Sequence, residues 1–325
     1  MYLLASTRSW AIFSVLCAFV GLSCAQQPYP QKPIRMIVPY ATGGSVTILA
    51  RYISQKLSEA WGQQVIVDNR PGGNTVIGSE ALVNSPPDGY TIMLTSMDLV
   101  TVPQLLGTTF DPIRDFLPVA TIAVSDFVMV INPSVPANIL KDFIGLAKSK
   151  PGLLNFASAG GGSPAHIAAE SFNIAADVKI QHIPYKGGAP AITDLIGGQV
   201  NLYFSPIITV LPHIKSGRLK AIATSGSVRS AVLPQVATFK EGGLPNLDIS
   251  LWFALFAPSG TPKEVADKIS MEIEKILRSP DFREKLSSQG MEPFVTSSEQ
   301  FATLIRSEFS KFGQVIKSAK IRIEP

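Results

Sequence analysis

Three glycine-rich turns carry the residue types and the spacing that could do chemistry. They span residues 40–45, 158–163 and 185–190, and each follows a short apolar run and precedes a helical pattern. A glycine turn before a helix leaves backbone N–H groups unpaired at the positive end of the helix dipole. Such groups bind phosphate, sulfate or carboxylate, and glycine lets the chain approach the anion closely. The turns therefore predict an anion site, with ordinary turns and helix caps as the alternative.

Nucleotide and catalytic sites fit these turns poorly. A P-loop needs a lysine after its glycines, and neither the first nor the second turn supplies one. The G-x-G-x-x-G pattern of dinucleotide sites is absent from both. The sequence contains no G-x-S-x-G nucleophile motif, and His166, His182 and His213 lack the spacing of metal ligands. We therefore expect no catalytic residues, no cofactor and no metal; a secreted hydrolase would need a nucleophile and a base that the sequence does not show.

The first 25 residues have the pattern of a secretory signal peptide. They contain one charged residue, Arg8, an apolar run over residues 10–20 and small residues before Ala25. A membrane-spanning helix needs about 20 apolar residues, so this run is too short. We expect cleavage near Ala25 and a periplasmic protein, with a lipid anchor on Cys24 as the alternative. Because Cys17 and Cys24 both lie in this segment, the mature chain is expected to have no disulfides.

Charge and composition limit the partners. The formal net charge of the full chain is only +4 and the basic residues form no block, so we expect no nucleic-acid partner. With 46% hydrophobic residues, the chain can bury one large core or two medium ones. We expect a monomer.

Short apolar runs alternate with helical patterns along the mature chain, which predicts an α/β fold with mainly parallel sheets and flanking helices. The predicted strands are 34–39, 65–69, 91–95, 127–132, 154–158, 179–184, 200–205, 219–224 and 251–258. The predicted helices are 48–61, 78–83, 138–148, 164–175, 190–197, 210–215, 263–278, 281–289 and 298–318. The first turn lies in one part of the chain and the other two in the middle, so we expect two lobes: residues 26–125 with 226–325, and residues 126–225.

Several segments together resemble the Bug family, the extracytoplasmic receptors of tripartite tricarboxylate transporters. The segments are "YPQKPIRMIVPYATGGS", "VIVDNRPGGNTVIGSEAL", "PPDGYTIML", "LNFASAGGGSPAHIAAESF", "IPYKGGAPAITDLIGGQVNLYF", "LPHIKSGRLKAIAT" and "FALFAPSGTP". They cover nearly all of the mature chain in the family's order. The resemblance implies a periplasmic binding protein of the type II class, whose two lobes close by a hinge around a small organic acid.

The resemblance also implies which residues contact the ligand and which partner receives it. The partner is the membrane permease of a tripartite transporter; a sensory receptor that presents its ligand to a membrane signalling partner would use the same cleft. The implied contacts in the first lobe are Tyr40, Ala41, Thr42, Gly43, Gly44, Thr95 and Ser96. Those in the second lobe are Ser158, Ala159, Gly160, Gly161, Ser163, His166, Lys186, Gly187 and Ser205.

The first turn departs from the family pattern "PGGSxD". Thr42 stands in place of the usual proline and Thr47 in place of the usual acid. An acid at position 47 would cap the helix or contact the ligand, and its loss favours a more anionic or a less cationic ligand. Ser205 also replaces a residue that is often Asp or Asn in relatives. These changes argue against transferring a specific substrate, such as an amino acid, from a relative to this chain.

Overall fold

A computed structural model describes residues 29–247 and 249–322. The described residues from Lys32 onwards form one compact unit. The predicted signal peptide, including Cys17 and Cys24, lies outside the described residues, so its cleavage and the alternative lipid anchor stay predictions. In the described part of the chain, no helix combines the length and the apolar character needed to cross a bilayer.

Strands and helices alternate as the sequence predicts. The strands are β1 (Ile34–Val38), β2 (Val65–Asn69), β3 (Thr91–Ser96), β4 (Phe116–Ile131), β5 (Asn155–Ser158), β6 (Gln181–Pro184), β7 (Leu202–Pro206), β8 (Lys220–Thr224), β9 (Ser250–Pro258) and β10 (Met291–Pro293). The helices are α1 (Ser45–Trp61), α2 (Val76–Val83), α3 (Asp98–Thr101), α4 (Leu140–Ser149), α5 (Pro164–Ala176), α6 (Gly188–Ile196), α7 (Ile207–Lys215), α8 (Lys263–Arg278), α9 (Pro280–Ser287) and α10 (Ser298–Ser318).

The strands form one mixed sheet, which confirms the α/β prediction. Its order is β2-β1-β3-β9-β4-β7-β5-β6, and β8 and β10 also pair with β4. Neighbouring strands run parallel at the two ends, where β1 pairs with β2 and β3, and where β5 pairs with β6 and β7. The pairings of β4 and β9 at the centre are antiparallel. Parallel strands need crossover connections, and helices supply them at both ends.

The long strand β4 connects the two ends of the sheet. Residues 116–126 pair with β9, and residues 127–131 pair with β7 and β8. The sequence predicts only the second half of β4, because the first half contains Pro118 and the polar pair Ser125 and Asp126. The ladder with β9 shifts register twice, once next to Pro118, so the irregular sequence is accommodated by bulges.

Local signals explain where several helices begin and end. In α1, Leu49, Ile53 and Leu57 recur on one face and are buried. Gly62 ends this helix at φ +64, a left-handed conformation in which its N–H donates to the carbonyl of Ser58. Helix α10 begins with a capping box in which Ser297 and Gln300 bond reciprocally.

The fold places the three glycine turns at equivalent points. The turns follow β1, β5 and β6 and lead into α1, α5 and α6. The ligand-facing edge of an open parallel sheet is the one formed by the carboxyl ends of its strands. Each turn therefore lies at the kind of edge where α/β proteins bind ligands.

Candidate functional site

The first turn is held by a threonine and an asparagine. Asn69 on β2 donates from Nδ2 to the carbonyl of Tyr40 (2.9 Å) and to Oγ1 of Thr47 (3.0 Å). The Thr47 hydroxyl donates in turn to the carbonyl of Ala41 at 3.4 Å. Gly43 adopts φ +94, which a residue with a side chain rarely does. Thr47, which stands where the family pattern has an acid, therefore supports the turn from inside.

The hydroxyl of Tyr40 joins the first turn to the end of β3. It donates to Oδ2 of Asp98 at 2.6 Å and lies 3.0 Å from Oγ1 of Thr95 and 3.0 Å from Oγ of Ser96. Ser96 also donates to Oδ2 of Asp98, at 2.7 Å. Burial raises the pKa of Asp98 to about 6, while the two hydroxyl donors lower it. Burial, and then the charge of Asp98, raise the pKa of Tyr40 well above its ordinary value.

The second turn is tied down by its own side chains. The hydroxyl of Ser158 donates to the carbonyl of Gly160 (2.9 Å) and accepts from the N–H of Gly160 (3.1 Å). The N–H of Gly162 donates to Nδ1 of His166 at 3.1 Å. Ser163 caps α5 by accepting from the N–H of His166. Ser158, Ser163 and His166 are all buried and hold the turn from behind.

Two stacked imidazoles lie behind this turn. The rings of His166 and His182 are stacked, with 3.7 Å between their centroids and an angle of 18° between their planes. Burial, with a contribution from His182, lowers the pKa of His166 to about 3, and burial lowers the pKa of His182 to about 4. Both rings are therefore neutral at neutral pH. Because Nδ1 of His166 accepts a hydrogen bond, the proton of that ring is on Nε2.

The histidine pair predicts a loss of stability in mild acid. The ordinary pKa of histidine is about 6.5. Because both folded-state pKa values are lower, the unfolded chain binds more protons as the pH falls below 6.5, and stability is lost from there towards pH 4. We expect the free energy of unfolding, measured in urea, to fall between pH 7.5 and pH 4.5 in both the wild type and His182→Gln. In His182→Gln the fall should be smaller than in the wild type by about 2 kcal/mol. Equal losses in the two proteins would contradict this account.

The three turns meet in the structure. The N–H of Gly187 in the third turn donates to the carbonyl of Ala159 in the second, at 3.2 Å. A Cβ added to Gly187 would lie 4.0 Å from Cβ of Ala41 in the first turn. A Cβ added to Gly160 would lie only 2.6 Å from Oδ1 of Asn74, in the segment after β2. The three glycine turns therefore lie close together in the structure.

Some backbone donors of these turns have no partner among the residues that the structure describes. Within residues 29–247 and 249–322, no hydrogen bond is found for the N–H groups of Thr42, Gly43 and Gly161. Gly161 is buried, and buried N–H groups are almost always paired. Lys186 in the third turn is exposed and forms no ion pair with the described residues. The junction therefore offers unpaired N–H donors and a free cation, which together suit a carboxylate.

Two observations qualify the predicted set of contacts. Ser205 is fully buried, and its hydroxyl donates to the carbonyl of Pro206 rather than facing the open space at the turns. A cavity of about 380 Å³ touches the first turn and the start of α6 in the third turn, but its lining includes no residue of the second turn; of the predicted contacts, it includes only Gly43. Its other lining residues, from α6, α7 and the segment after α7, are Ala189, Ile192, Thr193, Ile196, Thr209, His213 and Arg218.

Sequence reasoning missed Asp98 and Tyr203. Asp98 is the only charged residue between Thr91 and Phe110, directly after a buried strand, and this isolation is a usable signal. Tyr203 lies inside an apolar strand, where an aromatic residue normally indicates core packing. The hydroxyl of Tyr203 would lie 3.2 Å from a Cβ added to Gly188, so it reaches the third turn.

Comparisons with known proteins agree on one family. The family model described as "Tripartite tricarboxylate transporter family receptor" matches residues 49–321. Protein BugT from Bordetella pertussis is 34% identical over 326 residues, which cover 98% of this chain and 99% of BugT.

Solved structures support the same conclusion. The periplasmic binding protein BugD is 29% identical, with a TM-score of 0.85, over 91% of this chain and 100% of BugD. Rpa4515 from R. palustris, solved with adipate, is 29% identical, with a TM-score of 0.88, over 91% of this chain and 100% of Rpa4515. The fold is therefore that of an α/β periplasmic binding protein.

Proposed function

Because this chain belongs to the tripartite tricarboxylate transporter receptor family, we propose that it captures a small organic carboxylate in the periplasm and delivers it to a tripartite transporter permease. The family consists of solute-binding receptors rather than enzymes, which disfavours the secreted hydrolase. Adipate in Rpa4515 supports a dicarboxylate ligand.

The unpaired N–H groups at the junction of the three turns carry the proposal. A carboxylate has two oxygens, which can accept hydrogen bonds from several donors at once. The N–H groups of Gly43 and Gly161 come from different turns, and α1 and α5 present their positive ends beside them. Lys186 adds a full positive charge. A carboxylate between the turns would satisfy donors that are otherwise unpaired.

Closure of two lobes would bring these donors around the ligand. We place the lobes at residues 26–125 with 226–325, and at residues 126–225. The change in the partners of β4 between Asp126 and Phe127 supports this boundary, since a strand shared by two groups of strands can act as a hinge. The contact between Gly160 and Asn74 would then be a contact between lobes.

Calorimetry with matched ligands tests the proposed function. We expect adipate and succinate to bind one-to-one and the uncharged diamide of adipic acid to bind at least tenfold more weakly, because hydrogen bonds to a charged acceptor contribute about 1.5–3 kcal/mol. The diamide keeps the length and the shape of adipate, so the difference isolates the charge. Failure of every dicarboxylate of three to eight carbons to bind would contradict the proposal.

A further inference from the structure

Asp98 is a buried acid without a cationic partner in the described part of the chain. It begins α3 directly after β3 and is 2% exposed. No lysine, arginine or histidine among the described residues forms an ion pair with it. Burying an unpaired carboxylate is costly, and such groups are concentrated at functional sites.

The position of Asp98 connects it to all three glycine turns. Tyr40, in the first turn, bonds to it directly. Thr101, at the other end of α3, donates to the carbonyl of Gly162 in the second turn at 2.8 Å. Tyr203, whose hydroxyl reaches Gly188 in the third turn, is near enough for the charge of Asp98 to raise its pKa, after the larger effect of burial. Asp98 therefore lies behind the junction of the three glycine turns and is bonded directly to the first of them.

The hydrogen bonds around Asp98 all point towards it. An ionised carboxylate only accepts, so the hydroxyls of Tyr40 and Ser96 direct their hydrogens at Oδ2. The hydroxyl of Thr95 then donates to the oxygen of Tyr40. These hydrogens are unavailable to a ligand, while a carboxylate with about four acceptor positions keeps spare capacity. This end of the site therefore presents acceptors, in contrast to the N–H donors of the glycine turns.

We propose that Asp98 determines ligand specificity by selecting carboxylates that carry a hydrogen-bond donor, a hydroxyl or an ammonium group, near the carboxylate. This inference rests on the proposed function and refines its ligand class. The glycine turns bind the carboxylate and Asp98 accepts from the donor. Thr47, in place of the usual acid, led to the expectation that this chain binds a more anionic or a less cationic ligand than its relatives do. The negative charge of Asp98 opposes that expectation.

Three four-carbon diacids that differ at one position test the inference. Succinate has no donor, malate adds a hydroxyl and aspartate adds an ammonium. In calorimetry at pH 7.5, we expect the wild type to bind malate or aspartate at least tenfold more tightly than succinate. The preferred one of the two identifies the donor as a hydroxyl or an ammonium group. In Asp98→Asn, whose amide can also donate, we expect malate or aspartate to bind no more than threefold more tightly than succinate. The matched control is Asp267→Asn, at a half-buried acid on α8 that pairs with Lys263 and lies outside the three turns, and it should keep the wild-type ranking.

Each outcome supports or overturns the inference. A wild type that binds succinate as tightly as malate and aspartate overturns it, as does an Asp98→Asn variant that keeps the full preference. Thermal unfolding checks that Asp98→Asn is folded. If it is not, Asp98→Ser takes its place. If neither variant folds, the order of affinities of the wild type for the three diacids decides. Binding without a donor preference overturns this inference alone, whereas no binding of any dicarboxylate overturns the proposed function as well.

Discussion

Replacing Gly44 by phenylalanine is expected to weaken carboxylate binding at least a hundredfold and to leave the fold intact. Gly44 precedes α1 in an extended conformation, φ −83 and ψ 168, which any residue can adopt. A Cβ at this position would meet no atom within 4 Å. The ring would therefore extend into the open space in front of the first turn and cover its N–H groups. A hundredfold loss corresponds to about 2.7 kcal/mol of binding free energy.

The control for Gly44→Phe is Gly107→Phe. Gly107 is exposed, and a Cβ added there would also meet nothing within 4 Å, but it lies outside the three turns. We expect Gly107→Phe to bind like the wild type and both variants to unfold near the wild-type temperature. If Gly44→Phe bound adipate and succinate with wild-type affinity, the first turn would not be part of the site.

Replacing Gly160 by alanine is expected to weaken both binding and stability, because this glycine is required by its backbone and by its neighbours. Gly160 has φ +135, where a side chain is strained, and its added Cβ would lie 2.6 Å from Oδ1 of Asn74 and 3.5 Å from the carbonyl of Tyr185. Such backbone strain costs about 1–3 kcal/mol. The clash is relieved by rotation of the Asn74 side chain or by movement of the second turn, and the strained φ of position 160 favours movement of the turn, which displaces the N–H of Gly161. We expect a loss of affinity of about a hundredfold, since each 1.4 kcal/mol is a factor of ten.

Two further variants separate the causes of the Gly160 effect. Gly198→Ala introduces alanine at another positive φ, +75, where an added Cβ would lie 3.6 Å from Nδ2 of Asn132. It should lose stability in urea unfolding but keep its affinity. Adding Asn74→Ala to Gly160→Ala removes the close atom and should restore part of the affinity. An affinity in Gly160→Ala equal to that of Gly198→Ala would show that the contact with Asn74 does not position the second turn.

Local sequence patterns predicted much of the fold. Helices α8 and α10 begin and end at the predicted residues, 263–278 and 298–318, because an amphipathic repeat and terminal signals such as the capping box of Ser297 act within a few residues. The first half of β4 and the short strand β10 were missed. Their stability comes from pairing with strands far away in the chain, which a local pattern does not contain.

The sequence predicted the three glycine turns of the candidate site but not the side-chain contacts behind them. Glycine turns before helices are local features, so all three were found. The contact between Asp98 and Tyr40 joins residues 58 positions apart, and no local pattern reports it. The resemblance implies that His166 contacts the ligand; in the structure its Nδ1 accepts from the N–H of Gly162 inside the turn. Direct contact between the ligand and the predicted residues stays a prediction.

A crystal structure of the protein with the most tightly binding dicarboxylate tests the central claim most directly. We expect one carboxylate between the first and second turns, accepting hydrogen bonds from the N–H groups of Gly43 and Gly161. Density for the ligand only in the cavity lined by α6 and α7, near His213 and Arg218, with the N–H groups of both turns unbound, would contradict the account.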